Sequence, residues 1–195
     1  MARTQSINNE DLIARLSCVF REVGYEGASL TQLSKATGLQ KASLYHRFPD
    51  GKQQMADEVL AAALGWVEAH ILTPLRSPAP PRERIAAVVE NLDAFYQGGR
   101  QACLLNMLSS PRAEPGPFAD AIKGAFEALV SAFSAAARDA GHEAKAARLR
   151  AERAIMLLQG SLVMCRGLGS VKPFKTFLSG LADDLLGEPA PRGRR

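Results

Sequence analysis

Along nearly the whole chain, apolar residues recur at spacings of three and four rather than two, which predicts helices throughout and an all-α fold. Residues 9–23 place Leu12, Leu16, Val19, Phe20 and Val23 on one face and end at Gly24, a residue that stops helices. After the loop GYEGA, Ser29-Leu30-Thr31-Gln32 has the Ser-x-x-Gln form of a capping box, with Ala28 and Leu33 placed as a hydrophobic staple, so a short helix over about 30–37 is expected. Gly38 supplies a left-handed turn, Leu39 an apolar plug, and a second short helix over about 41–47 precedes Pro49. Two short helices joined by a glycine turn predict a helix-turn-helix.

Asp50-Gly51-Lys52-Gln53 can open a further helix carrying Met55, Val59, Leu60, Ala63, Leu64 and Val67, expected to stop before Pro74. The stretch TPLRSPAPPRER holds four prolines between Pro74 and Pro81 and is the clearest break in composition. Beyond it, helices are expected near 82–97, 101–109, 116–140, 144–167 and 172–186, the third striped by Phe118, Ile122, Phe126, Leu129 and Phe133. AIMLLQGSLVMC, residues 154–165, is apolar nearly all round and is expected to be buried on several sides. The last helix presents Phe174, Phe177, Leu178, Leu181 and Leu185, and the last two helices together have the pattern of half an intersubunit bundle. This divides the chain into a helix-turn-helix domain over 1–55, a helical body over 56–187 and a basic tail, EPAPRGRR, over 188–195 that is expected to be disordered.

Composition narrows the classes. A chain of 195 residues with 47% hydrophobic content can build one or two small cores. It has no apolar run of the roughly 18 residues that a membrane span needs and no leader pattern in its first thirty residues, so no membrane partner and a cytoplasmic location are expected. Cys18, Cys103 and Cys165 are odd in number and lie in apolar helical patterns, which argues against a disulfide framework or a zinc site. His46, His70 and His142 lack metal-ligand spacing. GSLVMCRGLGS lacks the GxGxxG order, Gly51-Lys52 has no upstream phosphate-loop glycines and no GxSxG occurs, so neither an enzyme nor a cofactor is expected. Net charge is +4, distributed as +2 over 1–55, zero over 56–187 and +2 over 188–195. Residues 27–49 hold Lys35, Lys41 and Arg47 and no acid, a bias suited to an anionic partner.

A helix-turn-helix reads DNA by placing its second helix in the major groove with small or polar residues outward. Here Leu39, Leu44 and Phe48 can turn inward against Leu30 and Leu33, leaving Lys41, Ala42, Ser43, Tyr45 and His46 outward. Ala42 and Ser43 permit close approach, Lys41 can donate to guanine or phosphate, and the Tyr45 hydroxyl can donate to phosphate. Lys52 lies beside a helix start, whose free N–H groups attract phosphate.

The segment NEDLIARLSCVFREVGYEGASLTQLSKATGLQKASLYHRFPDGKQQM resembles the N-terminal domain of the TetR family of transcriptional regulators over about the first 60 residues. Ser17-Cys18 departs from the small alanines common there, and the glycine-containing turn FPDGKQQ is similar to that of the LmrA-type multidrug-responsive subgroup. The resemblance implies operator contacts from Thr31, Lys41, Ala42, Ser43, Tyr45, His46 and Lys52. It also implies a homodimer paired through the last two helices, and a repressor released from a palindromic double-stranded operator by a small organic effector. Apolar walls with a few polar groups suit such a ligand, which makes Trp66, His70, Phe95, Met107, Phe126, Met156, Gln159 and Met164 candidates to line its cavity. The alternatives are an activator or thiol-based sensor on the same fold, using Cys103 or Cys165, and a helical ligand-binding protein without DNA binding.

Overall fold

The computed structural model describes residues 7–109 and 115–187, and every regular element among them is helical. The α-helices in chain order are α1 (Asn9–Gly27), α2 (Leu30–Thr37), α3 (Lys41–Arg47), α4 (Gly51–Val67), α5 (Thr73–Leu75), α6 (Pro81–Phe95), α7 (Leu104–Leu108), α8 (Ala119–Asp139), α9 (Ala144–Leu168) and α10 (Lys172–Leu186), with a π-helical turn at Glu68–Leu72 and a 3-10 turn at Gln97–Gly99. The tail over 188–195 lies outside the described residues.

The described residues form two compact units: one takes those up to Gly65 together with Leu104–Phe118, the other those of Trp66–Cys103 and from Ala119 onward. The first unit thus receives a second stretch of chain beyond the expected 1–55 domain. In it, α1 is capped by Asn8, whose side-chain oxygen accepts the Asp11 N–H at 2.8 Å, and breaks at Gly24, where φ is 73° and ψ 177°. That left-handed backbone lies against α7, since a Cβ at Gly24 would stand 3.0 Å from the Met107 carbonyl oxygen. Leu16, Phe20, Leu33, Leu44, Phe48 and Met55 have no exposed surface and form the core. Each such side chain contributes roughly 1.5–3 kcal/mol by leaving water, and helices of eight and seven residues like α2 and α3 depend on that packing because they are marginal alone.

In the second unit, α9 packs between α8 and α10, and α10 also packs on α6. Two stretches of this unit depart from the pattern that the sequence predicts. The helix through Val67 does not stop before Pro74: a π-helical turn, Glu68–Leu72, leads into α5, which carries the proline in its first turn. In an α-helix residue 74 would donate to the His70 carbonyl; proline has no N–H, and the Asn91 side-chain amide donates there instead at 2.8 Å. Nor is 154–165 buried on several sides. Ala154, Ile155, Leu158, Leu162 and Cys165 are buried, whereas Met156, Leu157, Val163 and Met164 are exposed, because neighbouring helices of one chain cover a single side of α9.

Arg84 is the main buried charge of this unit, donating to the Leu75 carbonyl and to Asp139 Oδ2, both at 2.7 Å, and so tying α5, α6 and α8 together. Gly99, at φ 93°, admits Phe174 so closely that a Cβ would lie 2.8 Å from that of the phenylalanine.

Candidate nucleic-acid interface

The turn between α2 and α3 is built by hydrogen bonds from short polar side chains. The Ser29 side chain accepts the Gln32 N–H at 3.3 Å while the Gln32 side chain accepts the Ser29 N–H at 2.9 Å, so the capping box that the sequence predicts is formed. Gly38 closes α2 at φ 73°, ψ 6°, the left-handed conformation expected of it. The Ser34 hydroxyl then donates to the Leu39 carbonyl at 2.6 Å, and the Thr37 hydroxyl donates to Leu33 at 2.9 Å while accepting the Leu39 N–H at 3.3 Å. Arg15 reaches across from α1 to the Thr37 carbonyl at 3.4 Å, favourable both as a hydrogen bond and as a cation at a helix C-terminus.

With the turn set, α3 buries Leu44 completely and exposes Lys41, Ala42, Ser43, Tyr45 and His46; Thr31 on α2 is exposed as well. Lys41, Ser43, Tyr45, His46 and Thr31 make no side-chain hydrogen bond or ion pair among the described residues. Lys41, Ser43, Tyr45 and His46 on α3, with Thr31 on α2, therefore present polar groups whose hydrogen-bonding capacity the described residues leave unused.

Two cations nearby are already engaged. Arg47 forks onto Glu58 of α4, with N–O distances of 3.2 and 2.9 Å, and also donates to Asn9 Oδ1 at 2.9 Å. The Lys52 ammonium donates to the Tyr25 carbonyl at 2.8 Å and sits 4.4 Å from the Tyr25 ring centroid, a cation–π arrangement. Burial, and then the neighbouring charges of Glu26 and Asp57, push the Tyr25 phenol above its usual range, which keeps it neutral beneath the ammonium. Burial also raises the Asp57 carboxyl. Gly51, at φ 66°, turns the chain from α3 into α4, and a Cβ there would lie 3.4 Å from Tyr45.

The eight candidate ligand residues separate. Trp66 stacks between His70 and Phe95, at centroid distances of 4.5 and 4.1 Å, with ring planes within 17° of parallel. Behind this column Tyr96 meets Phe95 edge-on, its hydroxyl 3.6 Å from Cys103 Sγ; the Gln159 amide lies 3.4 Å from the same sulfur. Gln159 Oε1 is buried and finds no partner among the described residues. Phe126 instead lines a trough of about 480 Å³ between α8 and α9, with Arg138 and Arg148. Met156 and Met164 are 67% and 53% exposed and line a trough of about 600 Å³ on the outer side of α9 and α10, with Leu157, Leu168 and Phe177. They do not face the interior, because they fall on the side of α9 that no helix among the described residues covers. Met107 belongs to the first unit, beside Gly24.

Residues 14–59 match the model of the bacterial regulatory proteins of the tetR family. This interval holds the whole α2–turn–α3 arrangement and the start of α4. The chain is 24% identical over 162 residues to the transcriptional regulator LmrA of Bacillus subtilis, a match covering 80% of this chain and 85% of LmrA. It is 31% identical over 75 residues to the transcriptional repressor KstR2 of Mycobacterium tuberculosis, 38% and 37% of the two chains. Its fold is similar, at a TM-score of 0.73 and 22% identity, to that of a cysteine mutant of the TetR-family regulator CifR in complex with 26-base-pair operator DNA, covering 94% and 98% of the two chains. The chain belongs to the TetR family.

It is accordingly a DNA-binding transcriptional regulator, and no helix among its described residues is long and apolar enough to cross a membrane. In this TetR-family chain the sequence-chosen residues Lys41 to His46 converge on one face, and Thr31 and Lys52 lie on the adjoining α2 and α4. Sequence reasoning missed Arg15, Tyr25 and Glu58. Tyr25 stands inside the quoted GYEG motif, a usable signal; Arg15 and Glu58 carry none, since their partners lie 22 and 11 residues away.

Proposed function

We propose that this TetR-family regulator is a homodimeric repressor that sets α3 of each subunit into the major groove of a palindromic operator and is released by a small organic ligand held in the second unit. The observation that carries this reading is the outward face of α3, where Lys41, Ala42, Ser43, Tyr45 and His46 stand exposed above a fully buried Leu44. Lys41 and Ser43 read base edges, Ala42 permits close approach, and His46 contacts a base or phosphate. Tyr45, Thr31 and Lys52 anchor the backbone. The Tyr25 carbonyl and ring hold the Lys52 ammonium in place, and its remaining N–H groups donate to phosphate.

Exposed Met156, Leu157, Val163, Met164 and Leu168 on α9 support pairing through the last two helices, since an apolar stripe of this length on a monomer is an interaction surface. Two recognition helices on a twofold axis then read half-sites about 34 Å apart. The ligand reading is supported by the Trp66, His70 and Phe95 column and by Gln159, whose unpartnered buried oxygen accepts a hydrogen bond from a polar ligand group. A ligand acts only through different affinities for the DNA-bound and free states, typically about 1–3 kcal/mol.

The test is selection of duplexes from a random-sequence pool by the full chain, followed by footprinting. The expected product is a palindrome protected on one face in two successive major grooves. Recovery of unselected sequence, or of a single unrepeated half-site, would overturn the reading.

A further inference from the structure

Read from sequence, Arg47 is one of three cations in an acid-free stretch and looks like a group for DNA. Its surroundings assign it otherwise. It is the last residue of α3, and its guanidinium contacts three other parts of the first unit: both oxygens of Glu58 on α4, Oδ1 of Asn9 at the start of α1, and the ring of the fully buried Phe48, whose centroid is 4.7 Å away. Glu58 is itself oriented. Gln54 donates to its Oε1 at 3.1 Å and accepts the Asp50 N–H at 3.2 Å, which brings the turn between α3 and α4 into the same network. The guanidinium is planar and fits a carboxylate with two parallel bonds, so the arrangement fixes direction as well as distance.

The helix it holds has few other restraints. α3 spans seven residues, has no side-chain cap at its N-terminus, and buries only Leu44 along its length, with Phe48 at its C-cap. A helix so short does not hold its own orientation. We propose that Arg47 is a positioning residue for the recognition helix, setting the angle of α3 against α1 and α4 through Glu58 and Asn9, and does not serve as a contact to the DNA backbone. This rests on the assignment of α3 as the reading helix above.

The decisive test compares Arg47→Gln with Glu58→Gln, which remove the same pair while changing net charge in opposite directions. The probes are the duplex that the full chain selects from a random pool and a mixed-sequence duplex of equal length. If Arg47 positions α3, both variants lower the ratio of selected to mixed-sequence affinity, by about three- to tenfold for a half-exposed bidentate pair. The double variant is then no worse than either single one. Arg47→Lys, which keeps the charge but not the fork, behaves like Arg47→Gln. If Arg47 is instead a phosphate anchor, Glu58→Gln tightens binding, Arg47→Lys retains it, and Arg47→Gln lowers the slope of log K against log salt by about 0.9 per subunit; that pattern overturns the proposal. Retained mixed-sequence binding and an unchanged circular dichroism spectrum show that the variants are folded. Failure of the wild-type chain to select any sequence is a different outcome, which removes the reading role of α3 and this proposal with it.

Discussion

Two faces of this molecule are left unfinished in opposite ways. The outward side of α3 offers Lys41, Ser43, Tyr45 and His46, polar groups with no partners among the described residues, whereas the outward side of α9 offers Met156, Leu157, Val163, Met164 and Leu168, 40–67% exposed and apolar. Water satisfies the first face, so α3 gains by meeting a denser, charged acceptor, and salt weakens that gain by returning counterions. Water does not satisfy the second, which gains simply by being covered and is indifferent to moderate salt. One helix thus leaves polar groups without partners, and the other leaves apolar surface that water does not satisfy.

The largest effect is expected from a charge on the apolar face. Met164→Glu should leave the first unit folded but shift the chain to monomer at micromolar concentration by sedimentation, lowering affinity for the selected duplex by more than about a hundredfold as one of two half-sites is lost. A dimer that survives this change would show that α9 does not carry the pairing. Next, Lys41→Ala should cost about 1–3 kcal/mol and relax preference at particular base pairs, read by repeating the duplex selection. Uniform weakening across sequences would instead mark Lys41 as a backbone contact.

Lys52→Ala should reduce the slope of log K against log salt by about 0.9 per subunit without changing base preference; an unchanged slope would mean that the ammonium serves only Tyr25. Raising salt over the same range should leave the sedimentation of the unliganded chain unaltered if α9 carries the pairing, the sharpest contrast between the two faces. The smallest effects concern local structure. Gly51→Ala places a Cβ at φ 66° beside Tyr45, and should cost about 1 kcal/mol in thermal unfolding. Ser29→Ala removes the cap of α2 at a similar cost of about 1 kcal/mol, and Ser29→Gly should restore most of it.

Much of the first unit is legible in the sequence itself. The capping box at Ser29 and Gln32, the left-handed Gly38 and the boundaries of α2 and α3 are local devices, each decided by residues within four or five positions of one another. The inward Leu44 and Phe48 followed from periodicity. Pro74 shows where such reasoning fails: the helical chain passes through it because Asn91, distant in sequence, supplies the missing donor. The methionines of α9 show it again, since apolar character states that a side chain will be covered but not by which molecule.

Sequence alone therefore settled the helical class, the helix-turn-helix and its outward residues, because hydrophobic period, caps and glycine backbone are short-range properties. Tertiary structure decided which of those residues are free. It neutralised Arg47 with Glu58, set Lys52 on Tyr25, and returned Leu104–Phe118 to the first unit. The physical reason is that a side chain's charge is written in its own residue, while the partner that holds or spends that charge arrives from elsewhere in the chain.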